Sequence, residues 1–194
     1  MPKQLTTALS PLTPRLPQRL AHRLYQESYG LYRCLLLLMG FRIELQYLDL
    51  ALLLQELGRE LLMLYPSHRF TVHSAPQAIW VLANTLHLKQ ACYHLLQNGV
   101  KYSLNQAVID IEVGWQTDEA WLRITDRGIG IVREDLAHIF RCFYRGRQTC
   151  GRKVPGLGVG LYVVQRIVAM HNGRIRVHSQ PGQGTQFTLY LPLK

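Results

Sequence analysis

The stretch YHLLQNGVKYS, at residues 93–103, combines an apolar helix face with a polar one. Its leucines and valine are spaced as the buried side of a helix. By contrast, His94, Asn98 and Lys101 recur at offsets of four and three residues and therefore share another side. Such a polar face belongs either to a solvated surface or to a ligand site, and the motifs elsewhere in the chain decide between the two.

The remaining periodicity predicts helices interspersed with strands that are mostly joined as hairpins. The predicted helices cover residues 48–65, the stretch that ends at 103, a short piece at 133–140 and about 159–171. The predicted strands are 69–75, 79–84, 107–115, 120–126, 173–179 and 185–193. Hairpins favour one mixed, mostly antiparallel sheet with helices on one face, an α+β two-layer sandwich, because a doubly wound sheet needs repeated strand–helix–strand crossovers.

The composition fits a packed domain without a membrane span. Of the 194 residues 48% are hydrophobic, and the longest apolar run, CLLLLMGF at 34–41, is much shorter than the roughly 20 residues of a spanning helix. The four cysteines form no CxxC pair, so reduced thiols in a soluble, cytoplasmic protein are expected. A net charge of +10 predicts an anionic partner, such as nucleic acid, nucleotide phosphate, an acidic protein or a membrane surface.

Three glycines stand at the predicted start of the last long helix, in PGLGVGLYVV at 155–164. Gly156, Gly158 and Gly160 permit close approach of the backbone, and free amides at a helix N-terminus favour phosphate. By itself this pattern fits a glycine-rich turn without a ligand equally well. A Walker loop is excluded because GK followed by Ser or Thr is absent, and a dinucleotide fingerprint because no strand immediately precedes the glycines.

A second glycine cluster, DRGIG at 126–130, ends a predicted strand. Asp126 stands just before Gly128 and Gly130, where a carboxylate held by the strand can accept a hydrogen bond from an exocyclic amine such as that of adenine. Taken alone, this pattern favours a turn aspartate that caps a loop.

Five motifs follow one another in the order HLLQNGVKYS, DRGIG, IFRCFYRGR, GLGVGL and GTQFTLYLP. This series resembles the ATP-binding domain of sensor histidine kinases, which has the Bergerat fold of the GHKL superfamily of gyrase and mismatch-repair ATPases. The resemblance covers about residues 48–194. It implies ATP and Mg²⁺ as cofactors and transfer of the γ-phosphoryl group to a histidine.

The resemblance also implies roles for single residues. In such kinases the asparagine at the position of Asn98 binds Mg²⁺, and the residue at the position of His94 assists the metal or polarises the attacking group. Lys101 matches a lysine that contacts phosphate, and Tyr102 matches an aromatic residue beside the adenine. The remaining implied residues are the adenine-reading Asp126, Gly128 and Gly130 around the pocket, Gly156, Gly158, Gly160 and Leu161 at the phosphates, and Thr185 beside Asp126.

The segment 131–160 resembles the family's ATP lid and is strongly basic, with six basic residues against two acidic ones. Phosphate recognition therefore explains part of the positive charge, and no nucleic-acid partner is expected. Arg145 can offer two parallel donors to a phosphate. Phe140 and Phe143 are predicted to anchor the lid by apolar packing. Leu157 replaces a polar residue of the family, so no metal or phosphate contact is predicted from its side chain.

Residues 1–47 differ from the rest and resemble a truncated dimerisation hairpin. QLTTALSPL, at 4–12, is similar to the residues just after a phosphoacceptor box, and residues 18–46 are similar to the hairpin's second helix. His22 lacks the acidic and proline neighbours of that box, so the acceptor histidine is expected in trans or in missing sequence. The N-terminal helix is expected to engage a dimerisation or phosphoacceptor domain, a response regulator or a second copy of the chain, or else to pack against residues 48–65 of its own chain in a monomer.

Three functions remain open on the sequence. The first is an ATP-dependent histidine kinase catalytic domain. The second is a degenerate ATP-binding module that regulates a partner through nucleotide-dependent ordering of its lid. The third is an ATPase or a serine kinase of the anti-sigma type, for which the N-terminal helix is an unneeded addition. Asn98, Lys101, Asp126 and the glycines of both boxes are present, which favours ATP binding in each case.

Overall fold

The structure is a computed structural model that describes residues 44–74, 77–103, 108–146 and 156–194. The described residues form seven strands and four helices. In chain order these are β1 (Gln46–Asp49), α1 (Leu50–Leu64), β2 (Arg69–Ser74), β3 (Trp80–Ala83), α2 (Thr85–Tyr102), β4 (Val108–Gln116), β5 (Glu119–Asp126), α3 (Arg133–Leu136), α4 (Gly160–Met170), β6 (Arg174–Gln180) and β7 (Gly184–Pro192). The predictions for residues 1–43, including His22 and the dimerisation-like helices, lie outside the described ranges.

Five strands form the main sheet, in the spatial order β2–β4–β5–β7–β6. The pairs β4–β5 and β6–β7 are antiparallel hairpins, and β5 pairs antiparallel with β7. The pair β2–β4 is parallel, and the chain passes between these strands through β3 and α2. The predicted mixed, mostly antiparallel sheet is confirmed.

Alternation along the strands places the core on one face of this sheet. Ile109 and Ile111 of β4 are fully buried, whereas Asp110 between them is partly exposed. The helices cover the buried face with apolar stripes that include Leu54 of α1, Leu95 of α2 and Ile167 of α4. On the other face Arg123 lies 4.6 Å from the centre of the Trp121 ring. The fold is therefore the predicted α+β two-layer sandwich.

Helix α1 begins at Leu50 rather than at residue 48, because Asp49 ends β1 and caps the helix. The Asp49 carboxylate accepts hydrogen bonds from the backbone N–H groups of Ala51 at 2.9 Å and of Ile79 at 3.1 Å. β1 pairs antiparallel with β3 in a separate two-stranded sheet. The strand predicted at 79–84 is therefore present outside the main sheet, and β1 begins inside the segment 1–47 assigned to the N-terminal region.

A buried histidine fixes α4 against the start of α2. His171 Nδ1 donates to the carbonyl of Ile167 at 2.7 Å, and its Nε2 accepts the backbone N–H of Asn84 at 2.9 Å. Asn84 in turn caps α2, because its side chain accepts the N–H of His87. Burial lowers the pKa of His171, so the neutral ring that these two bonds require is favoured. These hydrogen bonds fix how α2 and α4, which carry site residues, lie relative to each other.

Two expectations drawn from composition concern membranes and thiols. Within the described ranges, none of the helices combines the length and apolar character that a membrane crossing requires. Cys92 and Cys142 are free thiols, and burial raises the pKa of Cys92 to about 12. Cys34 and Cys150 lie outside the described residues.

Candidate functional site

A cavity of about 440 Å³ lies between the C-terminal half of α2, the end of β5 and the N-terminus of α4. Its lining contains every residue predicted for the site except Gly128. These lining residues are His94, Asn98, Lys101, Tyr102, Asp126, Gly130, Arg145, Gly156, Gly158, Gly160, Leu161 and Thr185. Because they come from distant parts of the chain, the fold brings them together.

Asp126 is the last residue of β5 and is buried, with 7% of its surface exposed. Its carboxylate accepts the backbone N–H of Gly128 at 2.8 Å and that of Thr185, its cross-strand partner on β7. Burial outweighs these two bonds and raises the pKa of Asp126 to about 6. At neutral pH the side chain is therefore an ionised acceptor with capacity for a further donor.

Thr185 is held in turn by Ser179 of β6, a residue that the sequence did not single out. Ser179 Oγ donates to the carbonyl of Gly184 at 2.8 Å, so the 2.9 Å bond between the two hydroxyl groups has Thr185 as its donor. Ser179 Oγ also accepts the backbone N–H of Ile131. This one hydroxyl ties β6, β7 and the loop after β5 together beneath the cavity.

The glycines after β5 are required by close backbone contacts. A Cβ at Gly128 would lie 2.8 Å from Asp126 Oδ1 and would collide with the carbonyl oxygen of Tyr102. Gly130 has φ of +69° and faces the carbonyl of Gln180. Gly128 therefore lies directly against the Asp126 carboxylate, and Gly130 lies against the end of β6, so neither position has room for a side chain.

We expect Gly130→Ala to lower the free energy of unfolding by about 3 kcal/mol, since it combines a positive φ with a backbone collision. Gly182→Ala is the matched control: its φ of +77° is similar, but a Cβ there would meet nothing within 4 Å. The control is expected to cost about 1 kcal/mol from conformation alone. Urea unfolding of both variants measures the difference, and equal losses would contradict the collision.

The polar residues His94, Asn98 and Lys101, on one face of α2, all line the cavity. The Nε2 atom of His94 is buried and has no hydrogen-bond partner in the described part of the chain. Burial, and secondarily the charge of Lys101, lowers the pKa of His94 to about 4, so the imidazole is neutral at physiological pH. A Cβ at Gly160 would lie 3.5 Å from His94 Nδ1. A buried nitrogen of this kind requires a ligand or a water molecule as its partner.

Cationic side chains and backbone amides converge on the same cavity. Lys101 Nζ would lie 3.8 Å from a Cβ at Gly156. Burial raises the pKa of Tyr102, and the charge of Arg145 opposes that rise, which places the guanidinium near the phenol. Helix α4 has no side-chain cap from its N-cap residue, Val159, so its first amides form the positive end of the helix dipole without that partner.

The structure corrects one prediction for the lid and leaves others unsupported. Phe143 was predicted to anchor the lid, but it is 68% exposed and has φ of +64°, so that prediction is wrong; Phe140 does pack against the core. Leu157 lines the cavity with an exposed side chain. Of the other basic lid residues, Arg133 and Arg141 are not part of the lining, and Arg147, Arg152 and Lys153 fall outside the described ranges.

Sequence reasoning missed several lining residues that surround the predicted ones. The apolar members include Ile129, Ile131, Ile139 and Phe187, and the polar members include Gln97, Asp135 and Tyr144. Asp135 is 2% exposed and accepts the phenol of Tyr144 at 2.8 Å. In the sequence Asp135 looks like a solvated acid in the first turn of a short helix, so no sequence signal marks its burial.

Residues 83–194, more than half of the chain, match the profile of the family described as histidine kinase-, DNA gyrase B-, and HSP90-like ATPase. The chain belongs to this ATPase family. The match begins in β3 and takes in α2, the glycine loops and α4, so all residues that the sequence assigned to the site lie within the ATPase region. The predicted resemblance is confirmed.

Two curated proteins that are similar to this chain are named as sensor histidine kinases. The sensor-like histidine kinase SenX3 of Mycobacterium tuberculosis (strain ATCC 25618 / H37Rv) is 38% identical over 118 residues, which cover 61% of this chain and 29% of SenX3. The sensor histidine kinase YkoH of Bacillus subtilis (strain 168) is 31% identical over 150 residues, which cover 77% of this chain and 32% of YkoH. The chain therefore spans about a third of the length of these relatives.

Two solved histidine kinase structures have a fold similar to that of this chain. The NMR structure of the histidine kinase domain of the E. coli osmosensor EnvZ has a TM-score of 0.59 at 28% identity, covering 80% of this chain and 92% of that one. The mycobacterial sensor histidine kinase MprB has a TM-score of 0.67 at 24% identity, covering 77% of this chain and 98% of that one. At the lower identity the likeness concerns the fold alone.

Proposed function

We propose that this chain binds ATP with Mg²⁺ and acts in the cytoplasm as the catalytic ATP-binding part of a sensor histidine kinase. In this proposal the γ-phosphoryl group passes to a histidine on another polypeptide or another segment of the same protein. The observation that carries the proposal is the make-up of one cavity, which combines a buried ionised acceptor, Asp126, with cations and helix-end amides. Membership in the ATPase family supports it.

Asp126 is proposed to recognise adenine. Its carboxylate already accepts two backbone N–H groups and retains capacity for the exocyclic amine of the base. Apolar side chains from the loop after β5 and from β7, including Ile129, Ile131 and Phe187, line the same cavity and would cover the ring. Tyr102 is half-buried at the end of α2 and is proposed to lie beside it. Gly128, Gly130 and Thr185 hold the carboxylate and loop in place.

Lys101, Arg145 and the glycine box are proposed to hold the phosphates. Gly156 and Gly158 have positive φ and carry the chain close to the cavity before α4 begins at Gly160. The N-terminus of α4, where the N-cap residue Val159 makes no side-chain cap and Leu161 lies in the first turn, then presents backbone N–H groups where an anion is favoured. Each of these groups adds donors that suit phosphate oxygens.

Asn98 is proposed as the protein ligand of Mg²⁺. Asn98 lines the cavity and carries an amide oxygen, and Mg²⁺ prefers oxygen ligands while keeping waters and substrate phosphates. The described residues hold no cluster of three or more His, Cys, Asp or Glu side chains for a metal. This donor set fits a metal that enters with the triphosphate, where it would neutralise phosphate charge.

His94 is proposed to act as a neutral hydrogen-bonding group during transfer. Its pKa of about 4 leaves no positive charge on the ring at pH 7, so it cannot serve as a cationic clamp. The buried Nε2, without a partner in the described residues, can instead bond to a metal-bound water or to the attacking group. Positioning and charge stabilisation would then supply most of the catalysis.

The proposed partners follow from the proposed histidine kinase function. A dimerisation and phosphoacceptor domain would present the histidine, and a response regulator would receive the phosphoryl group. The N-terminal helix predicted within residues 1–47 is the proposed means of reaching these partners or a second copy of the chain. No nucleic-acid partner is proposed.

The test is transfer of radiolabel from γ-labelled ATP, with Mg²⁺, to an added dimerisation domain that carries a phosphoacceptor histidine. We expect acid-labile, base-stable label on that histidine. Measurable ATP affinity without labelled histidine would favour a nucleotide-binding regulator over a kinase. Acid-stable label on a serine of a partner protein would favour a serine kinase of the anti-sigma type. The absence of ATP binding would overturn the proposal entirely.

The adenine assignment predicts a pH dependence. Burial raises the pKa of Asp126 to about 6, so the carboxylate that accepts the amine is present above pH 6 and is lost below it. Adenosine affinity is expected to be constant above pH 7 and to fall about tenfold by pH 5. Adenosine is the probe because it has no phosphate that titrates in this range. A titration series by calorimetry that stays flat from pH 7.5 to 5 would contradict the assignment.

A further inference from the structure

Residues 143–146, which we call the strap, carry Arg145 along the edge of the cavity. The strap follows the short helix α3 and the turns after it, and its φ of +64° at Phe143 takes it out of helical geometry. Arg145 and Tyr144 both line the cavity. The position of the Arg145 backbone therefore depends on what holds the strap.

On one side the strap is held by Asp135 of α3. This side chain is 2% exposed, and its Oδ1 accepts the phenol of Tyr144 at 2.8 Å. A Cβ at Gly146 would lie 2.7 Å from Asp135 Oδ2, so the carboxylate lies against the residues on both sides of Arg145. The ring of Tyr144 also packs edge-on against His138 at 5.6 Å.

On the other side the strap lies against the glycine box. A Cβ at Gly158 would lie 2.6 Å from the carbonyl oxygen of Tyr144 and 2.9 Å from the carbonyl carbon of Phe143. Gly158 itself has φ of +73°. The strap thus lies between α3 and the loop that leads into α4. On the α3 side its polar contact is with the Asp135 carboxylate.

We propose that Asp135 and Tyr144 form a latch that positions Arg145 toward the phosphates of the nucleotide. Asp135 is a positioning residue, because it acts through Tyr144 and the strap. The ligand in this inference rests on the proposed function. The hydroxyl is the specific element, since a phenylalanine at 144 would retain the ring packing and lose the bond to Asp135.

The decisive variant is Tyr144→Phe. We expect it to weaken ATP binding about fivefold, the effect of one lost hydrogen bond, while adenosine affinity stays within twofold of the parent protein. Tyr190→Phe, on the open face of the sheet beside Arg174, removes the same hydroxyl outside the cavity and is the matched control.

A double-mutant cycle separates positioning from simple packing. If the latch acts through Arg145, Tyr144→Phe has no further effect on ATP affinity in an Arg145→Ala background. Full additivity in that background would overturn the latch, and so would equal losses of ATP and adenosine affinity in the single variant.

Hydrogen exchange distinguishes failure of the latch from failure of the proposed function. In the nucleotide-free protein, Tyr144→Phe is expected to speed exchange of the amides at 144–146 relative to the parent and to Tyr190→Phe. Unchanged exchange would overturn the latch even if ATP binds. If the parent protein binds no ATP, the proposed function fails. The contact between Asp135 and Tyr144 is then tested by these exchange rates alone.

Discussion

Replacing Asp126 with asparagine is expected to weaken ATP binding about 100-fold, because either orientation of the amide leaves a donor facing a donor. With its NH₂ toward the base, asparagine opposes the exocyclic amine of adenine. With its NH₂ turned inward, it opposes the backbone N–H groups of Gly128 and Thr185, which the carboxylate accepts. The two side chains have the same shape, so the change tests hydrogen-bond polarity rather than volume.

Calorimetric titration with ATP and with adenosine measures this effect, and both ligands are expected to lose affinity together. Asp110→Asn is the matched control, since it makes the same chemical change on the open face of the sheet, where Asp110 lies 3.5 Å from Arg127. Its affinity should stay within twofold of the parent protein. Asp126→Asn should also remove the pH dependence between pH 7.5 and 5. If Asp126→Asn bound ATP and adenosine as tightly as the parent protein, Asp126 would not be the adenine contact.

The main sheet and the site helix were predictable because their signals are local. In β4 and β5 every second residue is apolar, and the two runs are joined by a short turn, so strand, face and partner all follow from the sequence. The polar stripe of α2 is equally local, since offsets of three and four residues define one helix face. The approach of Thr185 to Asp126 is not local, and only the resemblance predicted it.

The features that sequence reasoning missed depend on contacts between distant residues. β1 has only four residues, too few for alternation to reveal it, and Asp49 accepts the N–H of Ile79 from far along the chain. Asp135 has the sequence context of an exposed acid, yet the fold buries it under Tyr144. In each case a tertiary contact overrides the local pattern.

Asn98→Ala is expected to lower phosphoryl transfer about 100- to 1,000-fold while leaving adenosine affinity within twofold. The reason is that Asn98 lines the cavity as the proposed Mg²⁺ ligand, whereas the proposed adenine contacts are made by other residues. The fold should tolerate the change, because Asn98 is half-exposed on α2 and alanine is the better helix former.

The label-transfer assay gives the rate, and adenosine titration gives the affinity that should not change. Gln165→Ala is the control, since it removes an exposed amide from the neighbouring helix α4 without touching the cavity lining. Raising the Mg²⁺ concentration should recover part of the lost rate, because a weakened metal site is filled by mass action. A variant that transfers at the parent rate at low Mg²⁺ would assign the metal to another ligand. Loss of adenosine affinity to the same extent would instead show that Asn98 supports the pocket as a whole.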